Sequence, residues 1–267
     1  MKLSRHDRLS ALFSHFSLSV SPAPAGARNL IVLGGADGVD RFSPHRVVFY
    51  PHRHAPDLKA DAPFLLGLQA DFGGLANPLM SALPEELSLL AENDGETELL
   101  LRLLLAEARA ERCGFGSVLS RLAEVLIIRL LRHEIERGAT EAGLLAGLAD
   151  SRLSRCIVAL HDTPERDWRN DELASIAGLS LSRFAQLFRV KLNLSPQAYL
   201  RRWRMTLARQ DIARGDRIKA IARRYGYGSS EAFAKAFHRQ FGSNPMTMRH
   251  ERPESAASGR AAAAVSR

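Results

Sequence analysis

The sequence predicts an α+β protein in which a β-rich N-terminal part and a run of helices precede an all-α part built on tandem helix-turn-helix units. Three observations carry this reading of the 267 residues. Between Leu30 and Leu68, short apolar runs alternate with Gly, Pro and Asp, the pattern of strands joined by turns. From Glu98 onward apolar residues recur at three-and-four spacing, the pattern of amphipathic helices. Residues 151–250 contain the same helix-turn-helix pattern twice.

The runs LIVLGG, HRVVFYP and PFLLGLQ are the expected strands, and GGLANP (Gly73 to Pro78) is the turn after which the pattern changes. Residues 1–85 are therefore assigned to a β-rich domain. Residues 86–150 form a helical linker and dimerisation region, with Glu98 to Arg112 and Gly116 to Arg137 as its clearest helices. In the second of these, Val118, Leu119, Leu122, Val125, Leu126, Arg129 and Leu130 are expected to share one mainly apolar face, which covers the sheet or joins two subunits. The Gly- and Ala-rich RGATEAGLLAGLADSR reads as the connection to a third part, residues 151–250. Residues 251–267 lack an apolar period and read as a disordered tail.

Charge divides the chain in the same place. The net +8 is the sum of −4 over residues 1–150, +11 over 151–250 and +1 over the tail. A cationic segment beside a mildly acidic one is the electrostatic footprint of a nucleic-acid-binding domain attached to another domain. With 46% hydrophobic and 25% charged residues the chain is expected to be globular rather than disordered. Cys113 and Cys156 lie far apart and have no zinc-ligand spacing, as expected of a chain folding in a reducing compartment. The start MKLSRHDRLS shows no secretory h-region, and the stretches Leu99 to Leu105 and Val125 to Leu131 are short and cut by Arg102 and Arg129. A cytoplasmic chain with no membrane partner is the expectation.

The repeat aligns Phe184, Phe188, Leu192 and Pro196 with Phe233, Phe237, Phe241 and Pro245. The first unit spans about 171–192, with Asn170 as N-cap, Asp171 and Glu172 in the first turn, and Gly178 opening the bend. Ser180 caps its second helix. Phe184, Leu187, Phe188 and Leu192 then face inward, leaving Ser182, Arg183, Ala185, Gln186 and Arg189 outward. The second unit spans about 218–241, with Gly226 at the bend and Ser229 as cap. Phe233, Ala236, Phe237 and Phe241 face inward there, and Ser230, Glu231, Ala234, Lys235 and Arg239 face outward. Between them, 196–214 reads as one linker helix with Trp203 in the core and Arg201, Arg202 and Arg209 facing solvent or phosphate. The expected DNA-binding side chains are Ser182, Arg183, Gln186, Arg189, Ser230, Glu231, Lys235 and Arg239, since the second helix of such a unit enters the major groove.

The stretches LASIAGLSLSRFAQLFR, SPQAYLRRWRM and IARRYGYGSSEAFAKAFHRQFGSNP resemble the AraC/XylS-type transcriptional regulators, over about Leu153 to Arg249. GGLANPLMSALPEEL, ERCGFGSVLSRLAEVLIIRLLRH and GLLAGLADSRLSR resemble the subgroup with an N-terminal cupin-type domain. The resemblance implies a shortened cupin-like β domain with helices and an AraC-type helix-turn-helix domain. It implies sequence-specific binding of promoter or operator double-stranded DNA, transcription activation with RNA polymerase as partner, a homodimer, and an effector that is a small molecule or an oxidant.

Other chemistry is less well supported by residue patterns. His52 and His54, on an expected strand, put two imidazoles on one face, but His45 is the nearest further ligand and no set is completed, so no metal and no cofactor is assigned. Cys113, beside Arg112 at a helix start, is either a redox residue, as the resemblance implies for some of the subgroup, or a small residue packed at a helix junction. Cys156 falls on an apolar period and is expected to be buried. No catalytic residues are assigned. The alternatives are a cupin-type metal enzyme with an accessory helical domain, and a non-specific nucleic-acid-binding protein.

Overall fold

Branched apolar residues in the expected runs do form strands in the computed structural model, which describes residues 8–13, 18–35, 43–56, 63–72, 80, 83–110, 112–138 and 142–250. Strands β1 (Ser19–Pro22), β2 (Leu30–Gly34), β3 (Pro44–Phe49), β4 (Phe64–Asp71) and β5 (Leu87–Leu90) form one antiparallel sheet in the order β1-β4-β2-β3-β5. Central β2 pairs Leu30 with Phe49 and Val32 with Val47 on one side, and Leu30 with Leu68 on the other. These side chains are buried, and so are Ile31 and Val48, which point to the opposite face and cluster there with Tyr50. Burial on both faces explains why β2 reads as a continuous apolar run rather than an alternating one.

Strands β1 and β5 are not expected from the sequence. Each has only four residues, and β5 lies in the segment read as helical. The GGLANP turn and the 251–267 tail lie outside the described residues.

Helices α2 (Gly95–Ala110) and α3 (Phe115–Glu136) pack on each other and on the sheet. Leu101, Leu104 and Leu105 of α2, and Leu119, Ala123, Leu126, Ile127, Leu130 and Leu131 of α3, are buried. Each such leucine contributes about 1.5–3 kcal/mol. The buried face of α3 differs from the one expected. Val118 and Val125 are 44% and 47% exposed, because the helix buries the neighbouring stripe through Ala123 and Ile127. Arg129 does not pack among apolar groups. It donates to Asp94, to Glu96 at 2.7 Å and to the Thr97 hydroxyl at 2.9 Å.

The GLLAGLADSR stretch is a helix rather than an open connection. In α4 (Leu144–Ala149) the residues Leu144, Leu145, Ala146, Gly147 and Leu148 are all buried. It packs on α3, on α5 (Leu153–Asp162) and on α7 (Leu181–Leu192). The short α1 (Ser10–Phe13) also lies on α5, and Arg8 donates to the Leu148 carbonyl at 2.9 Å.

The chain forms two compact units. One comprises residues 1–162 and 170–196: the sheet, α1 to α5, α6 (Asn170–Ala177) and α7. The other comprises residues 163–169 and 197–267 and holds nearly all of α8 (Pro196–Arg214), with α9 (Ile218–Arg224), α10 (Ser230–Phe241) and α11 (Pro245–His250).

Candidate nucleic-acid interface

The first helix-turn-helix is α6 and α7. Helix α6 opens at Asn170, so this residue lies inside the first turn rather than before it. Gly178 adopts φ 68°, and the Leu179 N–H returns to the Ala174 carbonyl at 3.0 Å, closing the helix in the left-handed bend that glycine permits. The Ser180 hydroxyl accepts from the Arg183 N–H, capping α7. Phe184 and Phe188 are fully buried, their rings 5.5 Å apart edge to face, and Leu192 is buried a turn later. That fixes the rotation of α7. Ser182, Arg183, Ala185, Gln186 and Arg189 are left exposed on its other side.

The second helix-turn-helix repeats these devices in α9 and α10. Gly226 has φ 77°, and the Tyr227 N–H returns to the Ala222 carbonyl at 2.8 Å. Ser229, one residue further from its glycine than Ser180 is from Gly178, accepts from the Ala232 N–H at 3.1 Å. Phe233 and Phe237 are fully buried, while Phe241 is half-buried against Phe237. Glu231, Lys235 and Arg239 are exposed; Ser230 and Ala234 are half-buried.

Two of the residues expected to face DNA or solvent have an additional structural role or a different setting. The Glu231 carboxyl is held below the ordinary glutamate range by its own backbone N–H and by the Ser229 hydroxyl, so it is engaged at the start of α10. Arg209 is half-buried with its guanidinium 5.4 Å from the Phe241 ring centre, rather than simply facing solvent. Arg201 and Arg202 are exposed, and Trp203 is buried as expected.

Polar contacts within the second unit are not foreseen from the sequence. Asp211 of α8, 1% exposed, accepts from Arg214, from Arg224 at 2.6 Å and from the Tyr225 hydroxyl at 2.8 Å. Arg224 also meets Asp216 at 2.9 Å. Burial first, and the Asp211 charge second, push the Tyr225 phenol up, keeping it a donor. Segment 163–169 is held by Arg204, which donates to the Pro164 and Arg166 carbonyls at 2.6 and 2.8 Å, and by Gln197, which donates to the Trp168 carbonyl at 2.6 Å. Arginines in a basic segment look alike in sequence. Asp211 was the available signal, as an acidic residue within a helix rich in arginine.

In the N-terminal half, His52 and His54 follow the end of β3 in a bend rather than lying on a strand, so alternation does not place them on one face. The His52 Nε2 lies 2.9 Å from the Leu83 carbonyl. Among the described residues no three His, Cys, Asp or Glu side chains converge as a metal set, and no helix is long and apolar enough to cross a membrane. Cys113 is exposed in the turn before α3, not packed at a junction. Cys156 is buried, donates to the Leu173 carbonyl at 3.0 Å, and has its thiol pushed up to about 12 by burial.

Known proteins share both halves. Residues 173–251 match the family model described as a helix-turn-helix domain, and residues 31–136 match the one described as Cupin. An HTH-type transcriptional regulator of Haemophilus influenzae is 32% identical over 151 residues, 56% of this chain and 51% of that protein. An AraC-like transcription regulator of Streptomyces lividans is 31% identical over 192 residues, 70% of this chain and 63% of that protein. The RCS-specific HTH-type transcriptional activator RclR of Escherichia coli is 33% identical over 175 residues, 64% of this chain and 62% of that protein. The chain thus spans between half and two thirds of the length of these three relatives. It joins a segment similar to Cupin to the tandem helix-turn-helix units just described, and the relatives it resembles include AraC-like transcription regulators.

Proposed function

We propose that the protein is a cytoplasmic, sequence-specific DNA-binding transcription regulator that acts as an activator. The observation that carries this is the pair of capped helices, α7 and α10, whose buried phenylalanines turn small, polar and cationic side chains to solvent within a segment of charge +11. Arg183, Arg189 and Arg239 supply phosphate or guanine contacts. Ser182, Gln186, Ser230, Glu231 and Lys235 read base edges, a role supported by the exposure of Ser182, Gln186, Glu231 and Lys235, with Ser230 half-buried beside them. The partners are promoter DNA and RNA polymerase, and the names of the relatives above support both the DNA reading and the activator role.

Residues 1–150 regulate, and a second copy of the chain pairs through α2 and α3. This reading is supported by Leu99 and Leu103 of α2, 70% and 53% exposed, together with Val118 and Val125. The domain division is that read from the sequence, with 151–250 as the DNA-binding part. No catalytic step is assigned to the cupin half; its two neighbouring histidines leave the strand before the point where alternation would align them.

Selection of full-length protein on a random duplex pool tests the proposal. A defined motif with two base-specific patches is the expected result. Recovery of unrelated sequences, all held equally, contradicts it and favours the non-specific alternative.

A further inference from the structure

The two helix-turn-helix units differ in the charge of their first helices. Helix α6 carries Asp171 and Glu172 in its first turn and no basic residue in its last. Helix α9 carries no acidic residue in its first turn and ends on Arg223 and Arg224. Arg217, Lys219, Ala220, Arg223 and Arg224 line an open groove of about 580 Å³. Arg224 is occupied by Asp211 and Asp216. Arg217, Lys219 and Arg223 are exposed, and among the described residues no carboxylate pairs with them. Part of this charge complements the C-terminal end of the α9 dipole, but Arg217 and Lys219 stand at the other end, where a cation is unfavourable for the helix. Three uncompensated cations around one groove call for an external anion.

We propose that this groove holds the phosphodiester backbone of duplex DNA, so that sequence-independent grip is concentrated on the first helix of the second unit and is not matched by α6. The inference rests on the DNA-binding reading above. It assigns Arg217, Lys219 and Arg223 to positioning on phosphate, leaving base choice to the outward faces of α7 and α10. In a helix-turn-helix the first helix crosses the backbone, and only α9 has the charge for an electrostatic hold there.

The test is a salt titration of full-length wild type and of Arg217→Gln/Lys219→Gln/Arg223→Gln, each on the selected duplex and on an unrelated one. Neutralising exposed side chains leaves the helix intact, which circular dichroism verifies, and the three single variants provide a graded series. The slope of log affinity against log salt is expected to become shallower by about 0.9 for each phosphate no longer neutralised, on both duplexes alike, with the selected motif unchanged. An unchanged slope in a variant that still binds overturns the groove assignment while leaving the DNA-binding reading intact. So does an unchanged slope with reduced transcription in a purified system, which assigns the patch to an acidic protein surface. Absence of any salt-sensitive binding by the wild type overturns the DNA-binding reading itself.

Discussion

Gly147 of α4 lies directly against Leu192, the last residue of α7: a Cβ at Gly147 would meet the Leu192 Cδ1 at 3.0 Å and the Ile157 Cδ1 at 2.7 Å. The Gly143 N–H also donates to the Lys191 carbonyl at 2.8 Å. The second helix of the first helix-turn-helix is therefore seated on a helix that the sequence presents as a connection. Gly147→Ala is expected to introduce about 1–3 kcal/mol of overpacking, of which better helix propensity returns about 1. Denaturant unfolding measures the difference. Gly147→Val is expected to cost more, and unchanged stability in both variants would show that the packing here yields freely.

The buried phenylalanines and the outward faces should separate cleanly. Phe188→Ala and Phe237→Ala are each expected to lose about 3–5 kcal/mol, as truncation of a fully buried aromatic does. Gln186→Ala, on the exposed side of α7, should unfold like the wild type. Thermal and urea unfolding of the three variants check this.

Asp211 joins the end of α8 to α9 through Arg224 and Tyr225. Asp211→Ala strands a buried phenol donor and removes two ion pairs, so about 2–3 kcal/mol of stability is expected to go. Tyr225→Phe should cost about 1 kcal/mol, and the double variant less than the sum of the two, as urea unfolding of the cycle would show.

Acid should act on the N-terminal half through Asp94. Hydrogen bonds from Arg129, then from Thr97, lower its carboxyl from 3.8 to about 2. A folded-state pKa below the unfolded one stabilises above the unfolded value and is lost as pH falls toward the folded one, here between about pH 4 and pH 2. Asp94→Asn is expected to cost about 1 kcal/mol at neutral pH, the pair being partly exposed, and to converge with the wild type near pH 2. Parallel stability curves for the two proteins over that range would contradict the assignment.

The two cysteines should differ in reactivity. Cys113 is exposed and Cys156 is buried with a raised pKa, so a thiol reagent at neutral pH should label Cys113 in the folded protein and both after denaturation.

The helix-turn-helix units were legible because each depends on local chemistry. A glycine that must take positive φ, a serine cap two or three residues on, and phenylalanines four apart leave little freedom for the helix faces. The three longer strands were legible for a similar reason. Strands β1 and β5 were not, since four residues such as SVSP or LSLL carry too short a period to distinguish strand from helix. The role of α4 was hidden because Gly and Ala read as linker composition, whereas here small residues permit close packing on α5 and α7. The rotation of α3 was ambiguous because adjacent stripes of a Leu- and Ile-rich helix are equally apolar, and packing on the sheet, α2 and α4 decides between them. Partners of individual arginines, such as Arg129 and Arg204, depend on tertiary placement that no local pattern encodes.

Whether outward residues of the capped helices choose a DNA sequence is tested most directly by equilibrium competition between a selected duplex and unrelated DNA, at one fixed salt concentration, with full-length wild type and Gln186→Ala. The wild type is expected to prefer its selected duplex by about 10³ or more, and Gln186→Ala to lose preference at one or two base positions while keeping its affinity for unrelated DNA. A wild-type ratio near one, or a Gln186→Ala protein indistinguishable from wild type at every position, would contradict the account.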